Sequence, residues 1–172
     1  IIIATGTHPE KSAVFTLYHM MDNICNHWQD DELLEALRFN FHFIIIPMAS
    51  PWAYDNNSRT NYNGVDMARN FPSRWVQGEP GTPTYGGEYP LSEPEAVILN
   101  DLLLENQDAI SVVDFHSFQG TVDSYGFLWT LTANSKMSNI CTRFIQKMDR
   151  KWKKEYPFMS QNYDEFIGTV DT

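Results

Sequence analysis

Three side chains in this sequence, two histidines and a glutamate, could bind a metal ion together. Each of them follows a segment that is expected to form a strand. His8 and Glu10 follow residues 1–7, an apolar strand running into a tight turn, and His116 follows the apolar segment 110–115. In an open α/β sheet, ligands gather beyond the carboxyl ends of the strands, so these three positions can converge. Two imidazoles and a carboxylate suit a zinc ion that activates water, since a catalytic zinc has three protein ligands and an open position.

A polar segment between them supplies two arginines. Residues 59–71 run Arg-x-Asn-x-x-Gly-Val-Asp-Met-Ala-Arg-Asn-Phe, with Arg59 at the start and Arg69 near the end. A guanidinium group binds a carboxylate through two parallel hydrogen bonds. The sequence therefore combines groups that suit a metal ion with groups that can hold an anionic substrate.

The segment after the first strand predicts two helices. From about Lys11, apolar residues recur at helical spacing through Trp28. Asp30 or Asp31 can cap a second, shorter helix that continues through Leu37.

The middle of the chain is a strand, a long loop and a helix. Residues 41–48 are nearly all apolar, as expected of a strand covered by helices on both faces. Residues 49–91 are rich in Pro, Gly, Asn and Ser without a sustained period, and a loop this long in a compact domain is usually functional. Ser92 and Glu95 form a capping-box pattern, which predicts Ser92 as the N-cap of a helix that ends near Asn106.

The last third continues the alternation. Residues 110–115 predict a buried strand, residues 125–131 a further strand, and residues 137–152 a long amphipathic helix. Cys25 and Cys141 both fall on apolar helix faces, which predicts free, buried thiols. Strands that alternate with helices indicate an α/β domain with a mixed, largely parallel sheet flanked by helices.

Length and charge exclude some classes of protein. A chain of 172 residues has room for one core, so we expect a single domain over residues 1–172. Its net charge of −10 argues against a nucleic-acid surface, and no apolar run approaches a membrane span. The opening is too short for a signal peptide and has no basic lead-in. The localisation stays open, with the cytoplasm and a phage particle as alternatives.

The order and surroundings of these motifs resemble the zinc metallocarboxypeptidase family (carboxypeptidase A-like), and look closer to its microbial and phage-associated members. The resemblance rests on residues 6–11, 59–71 and 114–117 and runs through most of the chain. It implies a zinc-carboxypeptidase-like α/β fold, of which this chain would be the central portion, truncated at both ends.

The resemblance also implies a role for each site residue. It makes His8, Glu10 and His116 the zinc ligands, Asp66 the carboxylate that orients His8, and Arg59 the residue that stabilises an oxyanion. The implied substrate-binding residues are Arg69, Ala68 and Ser117, with Ala68 replacing an asparagine that helps the family hold a terminal carboxylate.

Two departures from the family pattern bear on activity. The family motif is His-x-x-Glu, whereas this chain has His8-Pro9-Glu10 and places Lys11 at the family's glutamate position. Either the turn reshapes so that Glu10 still reaches the metal, or the site is damaged, or one residue is missing from the sequence. The family's general base lies well downstream of its second zinc histidine, and no residue up to Thr172 matches it.

The first functional hypothesis is zinc-dependent hydrolysis of peptide bonds by metal-activated water. The expected partners are peptides with a free C-terminal carboxylate or cell-wall peptides, with the oligomeric state open. One alternative is a degenerate, catalytically weak domain that keeps the fold for binding or assembly. Another is a desuccinylase- or aspartoacylase-like amidohydrolase, which shares the zinc ligand plan.

Overall fold

The computed structural model describes residues 1–116, and its centre is a sheet of three parallel strands. The middle strand is the first in sequence, and it pairs with the other two on either side. Ile2 is aligned with Ile44 on one side and with Val112 on the other. The strands are β1 (Ile2–Thr5), β2 (Ile44–Ile46) and β3 (Val112–Phe115).

Helices connect the strands, as the alternating pattern predicts. The connection from β1 to β2 holds two α-helices and a 3-10 turn, and the connection from β2 to β3 holds two α-helices and a second 3-10 turn. The α-helices are α1 (Lys11–Asn26), α2 (Glu32–Asn40), α3 (Pro51–Asp55) and α4 (Pro94–Glu105). The 3-10 turns are Trp28–Asp30 and Met67–Arg69. No helix within residues 1–116 is both long and apolar enough to cross a membrane.

Most of the predicted elements in the described part are confirmed, with shifted ends. Helix α1 begins at Lys11, and Asp31 caps α2 by accepting a hydrogen bond from the main-chain N–H of Leu33. The strand expected over 41–48 is shorter, and α3 at the start of the long loop was not predicted.

The predicted capping box of α4 is wrong. Glu93, not Ser92, occupies the N-cap position, and Pro94 begins the helix. The Ser92 hydroxyl donates instead to Oε1 of Glu93, at 2.8 Å, and the main-chain N–H of Glu93 donates to Oδ1 of Asn70. The Ser92 hydroxyl also accepts from Nδ2 of Asn70, and the main-chain N–H of Ser92 donates to the oxygen of Tyr89, so both groups that a capping box would use at Ser92 have other partners.

Two burial predictions are also wrong. Strand β3 alternates between exposed and half-buried residues, and Cys25 is free but exposed, because α1 buries Ala13, Leu17 and Ile24 instead. Cys141 and the elements predicted over 125–131 and 137–152 lie outside the described residues.

A small apolar core and a polar network hold the long loop. Met67 and Phe71 pack with Ala49 and Ala96 in a buried cluster, which fixes the 3-10 turn against α4. Nearby, the buried carboxylate of Glu93 accepts hydrogen bonds from the side-chain amides of Asn61 (2.7 Å) and Asn63 (2.8 Å). Within this network, Oδ1 of Asn61 also accepts from main-chain N–H groups of the loop. Nδ2 of Asn70 donates to oxygens of Gly86, Tyr89 and Ser92.

Candidate active site

The candidate site lies at the carboxyl ends of β1 and β3. β1 leads to β2 on one side, and the chain then crosses to place β3 on the other side, so the direction of strand order reverses at β1. Such switch points are where ligands bind in open α/β sheets. The two strand ends are tied together because the Thr5 hydroxyl donates to the main-chain oxygen of Phe115, at 3.0 Å. His8 and His116 therefore leave the sheet side by side.

The turn after β1 explains how the shortened motif still directs a carboxylate into the site. Gly6 has φ +71, and a Cβ there would lie 3.0 Å from Cα of Met48, so the position suits glycine. The main-chain N–H of Glu10 donates to the oxygen of His8 (2.8 Å), and that of Lys11 donates to the oxygen of Pro9 (3.1 Å). Both bonds span only two residues, as in γ-turns, and Glu10 has the matching φ −87 and ψ 74.

Glu10 is the residue that this tight turn points at His116. Its side chain is buried, whereas Lys11 is the exposed first residue of α1. Oε1 of Glu10 lies 2.8 Å from Nδ1 of His116, and the rings of His8 and His116 are 5.4 Å apart between centroids. The structure thus brings together all three side chains that the sequence proposes as metal ligands. Their role as ligands stays a prediction.

The ring of His116 is held by carboxylates at both nitrogens. Besides the contact of Nδ1 with Glu10, Nε2 lies 2.8 Å from Oδ2 of Asp114. Partial burial of the ring favours the neutral form, but hydrogen bonds with Asp114 and Glu10 outweigh it and raise the pKa of His116 to about 10. In this arrangement, His116 is a doubly hydrogen-bonded imidazolium.

His8 is in a different electrostatic setting. Its side chain is buried, and this burial lowers the pKa of His8 despite the nearby carboxylate of Asp66. Nδ1 of His8 lies 3.1 Å from the main-chain oxygen of Arg59, which can only accept a hydrogen bond. Nε2 lies 3.7 Å from Oδ1 of Asp66, which is near but beyond a hydrogen bond. Asp66 therefore lies beside His8, as predicted, but too far from its ring for the hydrogen bond that would orient it.

Asp66 is a fully buried hub for the loop. Its Oδ2 accepts from two guanidinium nitrogens of Arg59, Nε at 3.1 Å and a terminal nitrogen at 2.8 Å. Its Oδ1 accepts from the main-chain N–H of Ala68, so Asp66 caps the 3-10 turn Met67–Arg69. Nε of Arg59 also donates to the oxygen of Pro83. The arginine proposed to stabilise an oxyanion is thus bound to a carboxylate in this arrangement.

The proposed substrate-binding residues fall near this hub. Ala68 and Arg69 lie on the 3-10 turn that Asp66 caps, with Ala68 buried and Arg69 half-buried. Ser117 lies outside the described residues.

The side chains present fit a zinc ion in their chemistry, but they are not preset for it. Among residues 1–116, Oε2 of Glu10 is buried without a hydrogen-bond partner, an unsatisfied carboxyl oxygen that a cation would stabilise. The donor set of two imidazoles and a carboxylate is one that catalytic zinc sites use. Within residues 1–116, however, no group of three His, Cys, Asp or Glu side chains is already arranged to hold a metal ion. Metal binding would have to replace the bond between Glu10 and His116.

Sequence reasoning missed Asp114 as a partner of His116. The signal was present in the spacing, because residues two apart on a strand face the same side, so an aspartate two positions before a strand-end histidine can reach its ring. The network around Glu93 had no comparable signal, since Asn61 and Asn63 lie about thirty residues away in a loop without periodicity.

A family of known activity matches this chain over nearly its whole length. The sequence model of the zinc carboxypeptidase family, Peptidase_M14, matches residues 1–170. A similar protein is gamma-D-glutamyl-L-diamino acid endopeptidase 1 of Lysinibacillus sphaericus, which is 37% identical over 87 residues, covering 44% of this chain and 22% of that protein.

Similar solved structures have the same fold. Thrombin activatable fibrinolysis inhibitor matches with a TM-score of 0.78 at 17% identity, over 99% of this chain and 49% of that one. Murein-tripeptide amidase MpaA from Escherichia coli O157 matches with a TM-score of 0.61 at 22% identity, over 98% of this chain and 64% of that one. At these identities the likeness shows the fold alone. The chain spans about half the length of the first of these structures and less than a quarter of the endopeptidase.

Proposed function

Because the chain belongs to the zinc carboxypeptidase family, we propose that it carries the metal-binding part of an active site that hydrolyses peptide bonds. The observation that supports this most directly is the meeting of His8, Glu10 and His116 at the ends of two adjacent parallel strands. Glu10 and His116 are 106 residues apart, and among residues 1–116 the other oxygen of the buried Glu10 carboxylate has no hydrogen-bond partner.

The proposed roles follow from the chemistry of each side chain. His8, Glu10 and His116 would hold the zinc ion, which when bound lowers the pKa of a water molecule so that it becomes a nucleophile near neutral pH. Arg59 would release one of its bonds to Asp66 to stabilise negative charge on the scissile carbonyl. Arg69 would bind a carboxylate of the substrate.

For the substrate, we propose a cell-wall peptide with a γ-D-glutamyl linkage. The similarity to an endopeptidase that is named for γ-D-glutamyl-L-diamino acid substrates supports this class. Ala68 supports it as well, because a buried methyl group stands where the family has an amide that helps hold an ordinary terminal carboxylate.

The test uses the full-length zinc-loaded protein that contains this chain. It would be given a γ-D-glutamyl-L-diamino acid peptide, an α-linked peptide with a free C-terminal carboxylate, and an N-succinyl amino acid. We expect turnover of the first peptide that is lost with a chelator and restored by zinc. Turnover of the α-linked peptide alone would overturn the substrate class, and turnover of the succinyl compound alone would favour an amidohydrolase.

A catalytically weak binding domain is the second candidate. The hydrogen bond between Glu10 and His116, which metal binding would have to replace, favours it, as does the departure of His8-Pro9-Glu10 from the family's His-x-x-Glu spacing. It predicts that the full-length protein binds the γ-D-glutamyl peptide with no turnover of any of the three compounds, whether or not zinc is supplied.

A further inference from the structure

Asp114 is the side chain at the site to which the proposed function gives no role. It lies in β3, two residues before His116, so both side chains stand on one face at the carboxyl end of the strand. Its Oδ2 is 2.8 Å from Nε2 of His116, a distance typical of a charge-assisted hydrogen bond.

The position of this bond on the ring matters. An imidazole that binds a metal through one nitrogen almost always donates its other N–H to a carboxylate, carbonyl or water, and this fixes the tautomer and the ring orientation. In His116, Nε2 faces Asp114 while Nδ1 faces Glu10, so the nitrogen that points toward the other proposed ligands is the one not used by Asp114.

We propose that Asp114 is a positioning residue that holds His116 through Nε2, so that Nδ1 is presented beside Glu10 for the metal. This inference rests on the proposed zinc site, but it concerns a residue that the site's own chemistry does not require. Asp114 acts through His116 and has no contact of its own with substrate in this scheme.

The carboxylates beside the two histidines differ in how many other groups they bind. The carboxylate near His8, Asp66, stays 3.7 Å from the ring and is shared with Arg59 and the main chain of Ala68. The loop therefore holds Asp66 in place without any hydrogen bond to His8. The side chain of Asp114, in contrast, is bonded to the ring of His116 in the part of the chain that the structure describes.

A purely structural role for Asp114 makes a different prediction. About a third of its side chain is exposed (33%), and exposed ion pairs contribute little to stability. If the pair matters for orientation, removing Asp114 should weaken metal binding far more than it lowers the free energy of unfolding. If it is an ordinary surface pair, neither quantity should change much.

The experiment uses the full-length protein with Asp114→Ala, which removes the acceptor, and Asp114→Asn, which keeps a neutral acceptor. Asp108→Ala is the matched control, because it removes an exposed carboxylate from the loop just before β3. Zinc affinity is measured by competition with a chromophoric chelator. The hydrogen bond itself is measured in the metal-free protein, from the Nε2 proton signal of ¹⁵N-labelled His116, assigned with His116→Gln.

We expect Asp114→Ala to weaken zinc binding by about tenfold to a hundredfold, the usual effect of losing an outer partner, with a smaller loss for Asp114→Asn. The slowly exchanging Nε2 proton should disappear in Asp114→Ala and persist in the control. Zinc affinity for Asp114→Ala within about twofold of wild type would overturn the proposal. If the wild-type protein binds no zinc, the proposed function fails, and the proton signal alone decides the inference: its persistence in Asp114→Ala overturns it.

Discussion

Oε1 of Glu10 lies 2.8 Å from Nδ1 of His116, although the two residues are separated by 106 positions. The His8-Pro9-Glu10 turn that leads to this contact has two consecutive hydrogen bonds, and each of them spans only two residues. Helix α1 begins directly after this turn, at Lys11. A shortened motif therefore still delivers its carboxylate to the partner histidine.

We predict that Glu10→Gln weakens zinc binding in the full-length protein. An amide supplies no negative charge, so the loss should exceed the about tenfold to hundredfold that an outer partner typically costs. Lys11→Gln is the control, because Lys11 is exposed and its Nζ lies over the ring of Tyr54, at 5.8 Å. Chelator competition measures both variants. Unchanged affinity in Glu10→Gln would show that this residue is not a ligand.

A double variant separates position from charge. Glu10→Gln combined with Lys11→Glu restores the number of carboxylates and places one at the position that the family pattern uses. We expect no recovery of zinc affinity, because residue 11 starts α1 and its side chain is directed at Tyr54 rather than at His116. Recovery to the wild-type value would mean that the turn adjusts freely and that its geometry does not select Glu10.

Arg59 should contribute to stability as well as to catalysis. Arg59→Ala leaves the fully buried Asp66 without the two guanidinium bonds to Oδ2, and an unsatisfied buried acceptor costs about 1–3 kcal/mol, more when it is charged. Urea unfolding of the full-length protein measures the change. Arg74→Ala, an exposed arginine of the same loop, should change the free energy of unfolding by no more than about 0.5 kcal/mol. Equal changes in the free energy of unfolding for the two variants would show that the bonds between Arg59 and Asp66 do not stabilise the loop.

The sequence predicted those features that depend on neighbours along the chain. Asp31 caps α2 because its carboxylate needs only the N–H of Leu33, two residues on. The meeting of His8 with His116 also followed from a general rule, since both end parallel strands. Ser92 failed as a cap because its hydroxyl bonds the side chains of Glu93 and Asn70, the second of which is more than twenty residues away. No local pattern encodes that competition.

The carboxylate of Glu93 should make stability depend on pH. Burial raises its pKa, but hydrogen bonds from Asn61, Asn63 and Ser92 outweigh burial and hold the pKa below its ordinary value. A lowered folded-state pKa stabilises the protein above the unfolded-state value of about 4.3, and that contribution is lost as pH falls through the folded-state pKa. We therefore expect Glu93→Gln to be destabilising at neutral pH.

The difference between wild type and Glu93→Gln should shrink as the pH is lowered below about 4.3, because protonation removes the same charge from the wild-type protein. Unfolding by urea over a pH series measures it. Glu95→Gln is the control on the same helix. Glu95 is less buried than Glu93, and its hydrogen bond from the side-chain amide of Asn61 is longer, at 3.4 Å. A difference that stays constant with pH would mean that the charge of Glu93 does not contribute.

Two glycines of the loop separate backbone strain from crowding. Gly87 and Gly81 have φ +90 and φ +83, so alanine at either position strains the backbone by a similar amount, about 1–2 kcal/mol. Only Gly87 is also crowded: a Cβ there would meet Oγ of Ser92 and lie 2.5 Å from Nδ2 of Asn70, whereas a Cβ at Gly81 has nothing within 4 Å. Gly87→Ala should therefore lower the free energy of unfolding more than Gly81→Ala, because Asn70 must give up bonds that hold the loop carrying Arg59 and Asp66. Equal losses in urea unfolding would show that the network around Asn70 adapts without cost.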